Sequence, residues 1–114
     1  MSKWRLTLNA RFPTQAVADQ AKALLDSTVV SGSLFKVDRT TVFMDDEDRV
    51  WLLVDARYTT EVARNLRRTA VTSLVSTNPI LSQRLEATLS WHRCTHDDLS
   101  VKDCRTTEYA EMAL

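Results

Sequence analysis

Residues 4–12 alternate between apolar and polar side chains. The apolar positions are Trp4, Leu6, Leu8, Ala10 and Phe12. Alternation with a period of two predicts a strand that buries one face and leaves the other in water. Pro13 ends this strand, Thr14 can cap a helix, and apolar residues then recur at helical spacing until the helix ends near Ser31. The pattern predicts a strand followed by an amphipathic helix.

Two further strands and a second helix follow. The strand-like runs 34–44 and 49–58 flank four consecutive acidic residues at 45–48, and a polar turn between two strands predicts a hairpin. A threonine pair at 59–60 can cap a second helix, which the Asn-Pro pair at 78–79 ends. The side chains that we expect to face the core from this helix are Val62, Ala63, Leu66, Ala70 and Leu74.

A fourth strand is expected at about residues 88–95, followed by a polar segment and a short C-terminal helix. The element order β-α-β-β-α-β resembles the ferredoxin-like fold, an α+β architecture with a four-stranded antiparallel sheet and two helices on one face. We therefore expect a ferredoxin-like domain over residues 1–96 and a polar tail with a short C-terminal helix over residues 97–114. Many unrelated functions share this fold, so the resemblance implies no activity.

Two helices on one side leave the other face of the predicted sheet uncovered, and we call it the open face. In the second strand, period two predicts that Phe35, Val37 and Phe43 are buried. The open face is then expected to carry an apolar cluster of Val42, Met44, Trp51 and Leu53, rimmed by Arg5, Arg11 and Arg57. An apolar patch with a charged rim is typical of a partner surface, although the tail could instead fold over it.

The first hypothesis is therefore a non-catalytic protein interaction or regulatory module that acts through the open face. If two copies met through this face, they would form a two-fold homodimer. No residue pattern predicts catalysis, because Cys94 and the histidines two positions away run side by side on one strand with no third residue to orient them. We expect no enzymatic activity.

Composition narrows the function classes further. Fifteen Lys and Arg residues balance 15 Asp and Glu residues, so the formal net charge is zero and no global basic field attracts nucleic acid. The single glycine, Gly32, excludes Gly-rich phosphate loops and the nucleophile elbow of hydrolases. The N-terminal residues lack the apolar stretch of a signal peptide, so we expect a cytoplasmic protein with reduced cysteines and no membrane contact.

The second hypothesis is a small nucleic-acid-binding protein. Domains that bind RNA on an open sheet stack bases on aromatic residues of the central strands, and here those strands offer only Trp51. The arginines available to hold phosphates are Arg5, Arg11 and Arg57 on the sheet and Arg64, Arg67 and Arg68 as a basic ridge on the second helix. We expect this basic ridge to be a solvated face that serves as a secondary contact surface.

The third hypothesis is a metal site, with zinc as the ion, near the last strand. The residues of the right type are His92, Cys94, His96 and Cys104. Positions four apart on a strand lie ~13 Å from each other, so one ion needs a bend in the strand or a ligand from the tail. We expect ordinary surface histidines and two unpaired thiols here rather than bound zinc, no cofactor, and a Cys94–Cys104 disulfide as the remaining alternative.

Overall fold

The computed structural model describes residues 4–31, 36–93 and 109–114. They form a mixed α+β structure with two helices and one antiparallel sheet of five strands. The strands are β1 (Trp4–Phe12), β2 (Lys36–Met44), β3 (Val50–Tyr58), β4 (Glu86–Arg93) and β5 (Tyr109–Ala113). The helices are α1 (Gln15–Ser31), which follows β1, and α2 (Glu61–Thr77), which follows β3.

Both helices begin at the threonines that the sequence indicates. The Thr14 hydroxyl accepts a hydrogen bond from the backbone N–H of Val17 at 3.2 Å, and the Thr60 hydroxyl accepts one from that of Ala63 at 3.1 Å. Each bond satisfies a donor that the first helical turn would otherwise leave open, which fixes where the helix starts. Within the described residues, neither helix is long and apolar enough to cross a membrane.

The strands are ordered β2-β3-β1-β4-β5 in the sheet, and neighbouring strands are antiparallel. The sheet has one strand more than the four that we expected. The predicted C-terminal helix is wrong. Residues 109–113 instead pair with β4, and the backbone N–H of Leu114 donates to the carbonyl of Ala87 at 2.9 Å. A strand satisfies the open hydrogen-bonding groups along the edge of β4, which a helix cannot do.

The core lies between the two helices and one face of the sheet. Its strand residues are Leu6, Leu8, Ala10 and Phe12 of β1, Val50, Leu52, Val54, Ala56 and Tyr58 of β3, and Ala87 and Leu89 of β4. Ala18, Ala21 and Leu25 of α1 and Val71 and Val75 of α2 pack against them. The alternation in β1 and β3 therefore predicts the buried face of both central strands correctly.

The later part of β2 presents the opposite faces from those predicted. The pairing register with β3 shifts between residues 37 and 39, because a bulge inserts one extra residue there and inverts the alternation that follows. Phe43 consequently lies opposite Trp51 on the open face, whereas Val42 and Met44 lie opposite core residues of β3. The prediction that Phe43 is buried and that Val42 and Met44 lie on the open face is wrong.

α2 is rotated relative to the predicted orientation, although Ala63 and Leu74 pack against the core as expected. Its buried residues are Arg64, Val71 and Val75, while Val62 and Leu66 are 69% and 59% exposed. Positions seven and eleven apart share one side of a helix, so burial of the two valines brings the arginine to the sheet as well. The expectation that Val62 and Leu66 face the core is wrong.

Candidate functional site

The open face of the sheet is accessible at its hairpin end and buried at the other. Cross-strand pairing places four residues in one row at the hairpin end: Phe43, Trp51, Arg11 and Glu86. A second row, six residues away along β1, holds Arg57, Arg5 and His92. Phe43 is 39% exposed, whereas Arg5 is 0% and His92 5% exposed. Among the described residues, the hairpin end is therefore the more accessible part of the open face.

Arg5 and Asp55 form a buried salt bridge at the other end of the open face. The hydroxyl of Thr7 donates a second hydrogen bond to the Asp55 carboxylate at 3.2 Å. A paired and hydrogen-bonded charge can be kept out of water, whereas an unpaired one cannot. Arg5 lies on the predicted face, but its burial removes it from the surface where we expected it to bind a partner.

The β2–β3 hairpin is organised by the carboxylate of Asp45. Its Oδ1 accepts the backbone N–H groups of Glu47 and Arg49, each at 2.9 Å. Its Oδ2 accepts the guanidinium Nε of Arg49 at 2.7 Å and the indole Nε1 of Trp51 at 2.8 Å. Asp48 completes the turn with φ of 60°, and its N–H donates to the carbonyl of Asp45 at 3.1 Å. The loop thus has one defined conformation.

The hydrogen bonds also shift the ionisation of this loop. Partial desolvation raises the pKa of Asp45, but the hydrogen bonds from Trp51, Arg49 and Glu47 outweigh it and hold that pKa well below its ordinary value of 3.8. The carboxylate of Asp45 in turn raises the pKa of Arg49. Asp45 is therefore an anion at any physiological pH, and it fixes the edge of the indole ring.

Phe43, Trp51 and Leu53 make the apolar part of the hairpin end. Trp51 and Leu53 are half-buried and lie on the open face as predicted, and Phe43 replaces Val42 and Met44 as their neighbour. Arg11 lies opposite Trp51, and its Nε is 3.5 Å from Oε1 of Glu86. The apolar cluster of the open face therefore keeps two of its four predicted members and gains Phe43, and a charged pair borders it.

The basic ridge of α2 is turned towards the sheet at Arg64 and stays partly exposed at Arg67 and Arg68. The Arg64 guanidinium lies 4.9 Å from the ring centroid of Trp4, and that of Arg68 lies 4.4 Å from the ring of Trp91. Arg67 is half-buried, and this burial lowers its pKa, while Tyr58 has the opposite effect. The expectation of a solvated basic ridge is wrong for Arg64, which is 4% exposed.

The predicted metal cluster is described only at His92. This side chain is 5% exposed and lies opposite Arg5 in the sheet, so the expectation of a surface histidine is wrong for His92. Three of the predicted ligands, Cys94, His96 and Cys104, lie outside the described residues, as does Phe35. In the part of the chain that the structure describes, no group of three or more His, Cys, Asp or Glu side chains could hold a metal ion.

Sequence reasoning missed the role of Asp45, although a signal for it exists. An aspartate at the first position of a turn commonly accepts the backbone N–H group two residues later. Composition alone predicts that the acidic segment 45–48 is a solvated hairpin tip. In the structure the side chain of its first residue accepts four hydrogen bonds. The hairpin end can therefore offer a partner a fixed aromatic ring, an exposed phenyl ring and carboxylates.

Comparison of this chain with known protein families, with curated proteins and with solved structures finds no significant match.

Proposed function

We propose that this protein is a non-catalytic interaction module that binds a protein partner at the hairpin end of its open face. The observation that carries the proposal is the hydrogen bond that fixes the Trp51 indole to Asp45, next to the exposed ring of Phe43. Tryptophan is among the residues that contribute most to protein interfaces. A ring that is already held in place loses little conformational freedom when it is covered by a partner.

We further propose that the fold is ferredoxin-like with one added strand. The order β2-β3-β1-β4 of the first four strands, with a helix after β1 and another after β3, supports this assignment. In the described residues both helices pack on one face of the sheet, and the fifth strand extends the sheet by one strand beside β4. The proposed partner surface lies on the open face near the opposite edge of the sheet, on β2 and β3.

The burial and the contacts of the arginines favour a protein partner over nucleic acid. Arg5 and Arg64 are buried, Arg68 lies over a tryptophan ring, and Arg11 is close to a carboxylate. Phosphate binding needs guanidinium groups that can reach the backbone of the nucleic acid from the surface. The exposed hairpin end instead carries the acidic segment 45–48, which repels phosphate.

The proposal is tested by removing the two aromatic rings from the surface. The double variant Phe43→Thr/Trp51→Thr keeps residues that suit a strand, and tagged protein is used to capture partners from the native host, with and without nuclease. Sedimentation velocity of the same proteins measures self-association, since a second copy is one form of protein partner. We expect that the parent binds a specific protein or itself and that the double variant does not.

The matched control is Met44→Thr, which removes a 55% exposed apolar side chain next to Phe43 from the other face of the sheet. This variant should behave as the parent does. Equal binding by the parent and the double variant would overturn the proposal, and so would capture that depends on intact nucleic acid. Circular dichroism and thermal unfolding establish that all three proteins are folded.

A further inference from the structure

The three tryptophans of this protein differ in what lies over their rings. Trp4 has the guanidinium of Arg64 at 4.9 Å and that of Arg93 at 5.3 Å from its centroid. Trp91 has the guanidinium of Arg68 at 4.4 Å. Among the residues that the structure describes, no guanidinium lies over the ring of Trp51. The ring best placed to meet a partner is therefore the one without an internal cation.

The arginine paired with Trp51 in the sheet and the arginine two positions before it in the sequence are both engaged by carboxylates. Arg11, directly opposite Trp51 in the sheet, has its Nε 3.5 Å from Glu86. Arg49 donates from its Nε to Asp45 at 2.7 Å. Each guanidinium is drawn towards an acidic neighbour, and neither contributes a ring contact to Trp51.

The surroundings of Trp51 carry an excess of negative charge. The turn residues 45–49 and the row of Trp51 carry the carboxylates of Asp45, Asp46, Glu47, Asp48 and Glu86 and the guanidinium groups of Arg11 and Arg49. Five carboxylates thus outnumber two guanidinium groups, and Glu47 and Glu86 are 72% and 53% exposed. A concentration of exposed negative charge beside an aromatic face attracts a cation, and the face of the ring adds to the attraction.

We infer that the Trp51 ring binds a cationic side chain, arginine or lysine, from a basic segment of a partner protein. This inference rests on the proposed function and specifies the chemistry of the partner. The hairpin carboxylates attract the segment, Phe43 and Leu53 contact its apolar residues, and the cation lies over the indole. Acidic groups at a surface mainly raise the rate of encounter, whereas the ring contact determines where the cation binds.

The test uses a short synthetic peptide that alternates arginine with valine, and a second peptide in which uncharged citrulline replaces each arginine. Binding is followed by calorimetry and by the NMR signal of the Trp51 indole N–H, identified from the Trp51→Leu variant. We expect the arginine peptide to shift that signal, to bind more weakly as salt is added, and to bind at least about fivefold more tightly than the citrulline peptide.

Three variants separate the contributions of the ring and the carboxylates. Trp51→Leu should weaken binding of the arginine peptide, and the triple variant Asp46→Asn/Glu47→Gln/Asp48→Asn should remove most of its salt dependence. Asparagine tolerates the positive φ of Asp48, so the loop conformation is retained. Met44→Leu is the control for an apolar change on the other face, and it should leave the affinity unchanged.

Equal affinity for the two peptides would overturn the inference, as would an arginine peptide that binds without moving the Trp51 signal. These results leave the proposed function standing if Phe43→Thr/Trp51→Thr still abolishes specific capture or self-association. If the double variant has no effect there, the proposed function fails as well. The two failures are thus distinguished by separate measurements.

Discussion

The indole N–H of Trp51 donates to Oδ2 of Asp45 at 2.8 Å, and this bond joins the open face of the sheet to the loop of the β2–β3 hairpin. The same carboxylate accepts backbone N–H groups of the loop, so the position of the aromatic ring and the shape of the turn depend on one side chain. A change that disturbs the loop should therefore also disturb the surface that we propose for partner binding.

Replacement of Asp45 by asparagine should loosen the hairpin and remove one source of acid sensitivity. The amide has a single acceptor oxygen, so it cannot replace both oxygens that bind Glu47, Arg49 and Trp51. We expect a lower free energy of unfolding at neutral pH and a broadened Trp51 indole N–H signal. Urea unfolding and NMR spectroscopy measure the two effects.

The pH dependence of this variant has a defined sign. The pKa of Asp45 is lower in the folded protein than in the unfolded chain, so its carboxylate stabilises the fold fully above the unfolded value of about 4. That contribution is lost as the pH falls towards the folded value. The gap in stability between parent and Asp45→Asn should therefore narrow below about pH 4. A gap that is constant with pH, or an equal effect of Asp46→Asn, would contradict this assignment.

Removal of one partner of the buried Arg5–Asp55 pair should lower the free energy of unfolding strongly, whereas replacement of both partners by apolar residues should lower it little. Arg5→Met takes the Arg5 guanidinium away from a carboxylate that stays out of water, and we expect a loss of about 3–5 kcal/mol in the free energy of unfolding. The double variant Arg5→Met/Asp55→Leu should recover most of that loss, because it removes both charges together. Urea unfolding measures all of the variants.

Arg11→Met is the matched control for this prediction. Arg11 lies on the same strand and the same face as Arg5, but the side chains of Arg11 and Glu86 are 26% and 53% exposed. Loss of this pair should change the stability by only about 0–1 kcal/mol, because water screens exposed charges. Equal losses for Arg5→Met and Arg11→Met would show that burial of the Arg5–Asp55 pair carries no special weight.

Hydrophobic periodicity predicts the elements of this fold where the local pattern and the tertiary structure make the same demand. The alternation around Leu6 and Leu52 continues along whole strands, and both residues are buried as the pattern indicates. In β2 the bulge near residue 38 adds one residue to one strand, and nothing in the alternation marks it. Phe43 is consequently assigned to the wrong face from sequence alone.

Two other differences arise from demands that only the assembled sheet creates. Tyr109 and Met112 lie three apart and suggest a helical face, yet the open edge of β4 draws their segment into a strand. The sequence pattern predicts that Arg64 is a solvated charge. In the structure its guanidinium packs on the ring of Trp4, which lies sixty residues earlier in the chain. Neither partner can be located before the topology is known.

Replacement of the turn residue Asp48 by glycine should stabilise the fold. Its φ of 60° lies in the left-handed region, which costs a residue with a side chain more than it costs glycine. We expect Asp48→Gly to raise the free energy of unfolding by about 0.5 kcal/mol, with the greater freedom of glycine in the unfolded chain offsetting part of the gain. Asp46→Gly is the control, since no positive φ occurs there, and it should be neutral or destabilising. An equal gain at both positions would point to charge removal instead of backbone conformation.

The orientation of α2 can be tested with two truncations on opposite sides of the helix. Val75 is 1% exposed and packs in the core, so Val75→Ala should lower the free energy of unfolding by about 1–3 kcal/mol through lost contacts and a cavity. Leu66 is 59% exposed, so Leu66→Ala should change it by less than about 0.5 kcal/mol although a larger side chain is removed. The amphipathic pattern alone predicts the reverse order, because it places Leu66 in the core. Urea unfolding of the two variants decides between these orientations: a larger loss for Leu66→Ala would mean that α2 is turned towards the sheet by its other side, with Arg64 in solvent.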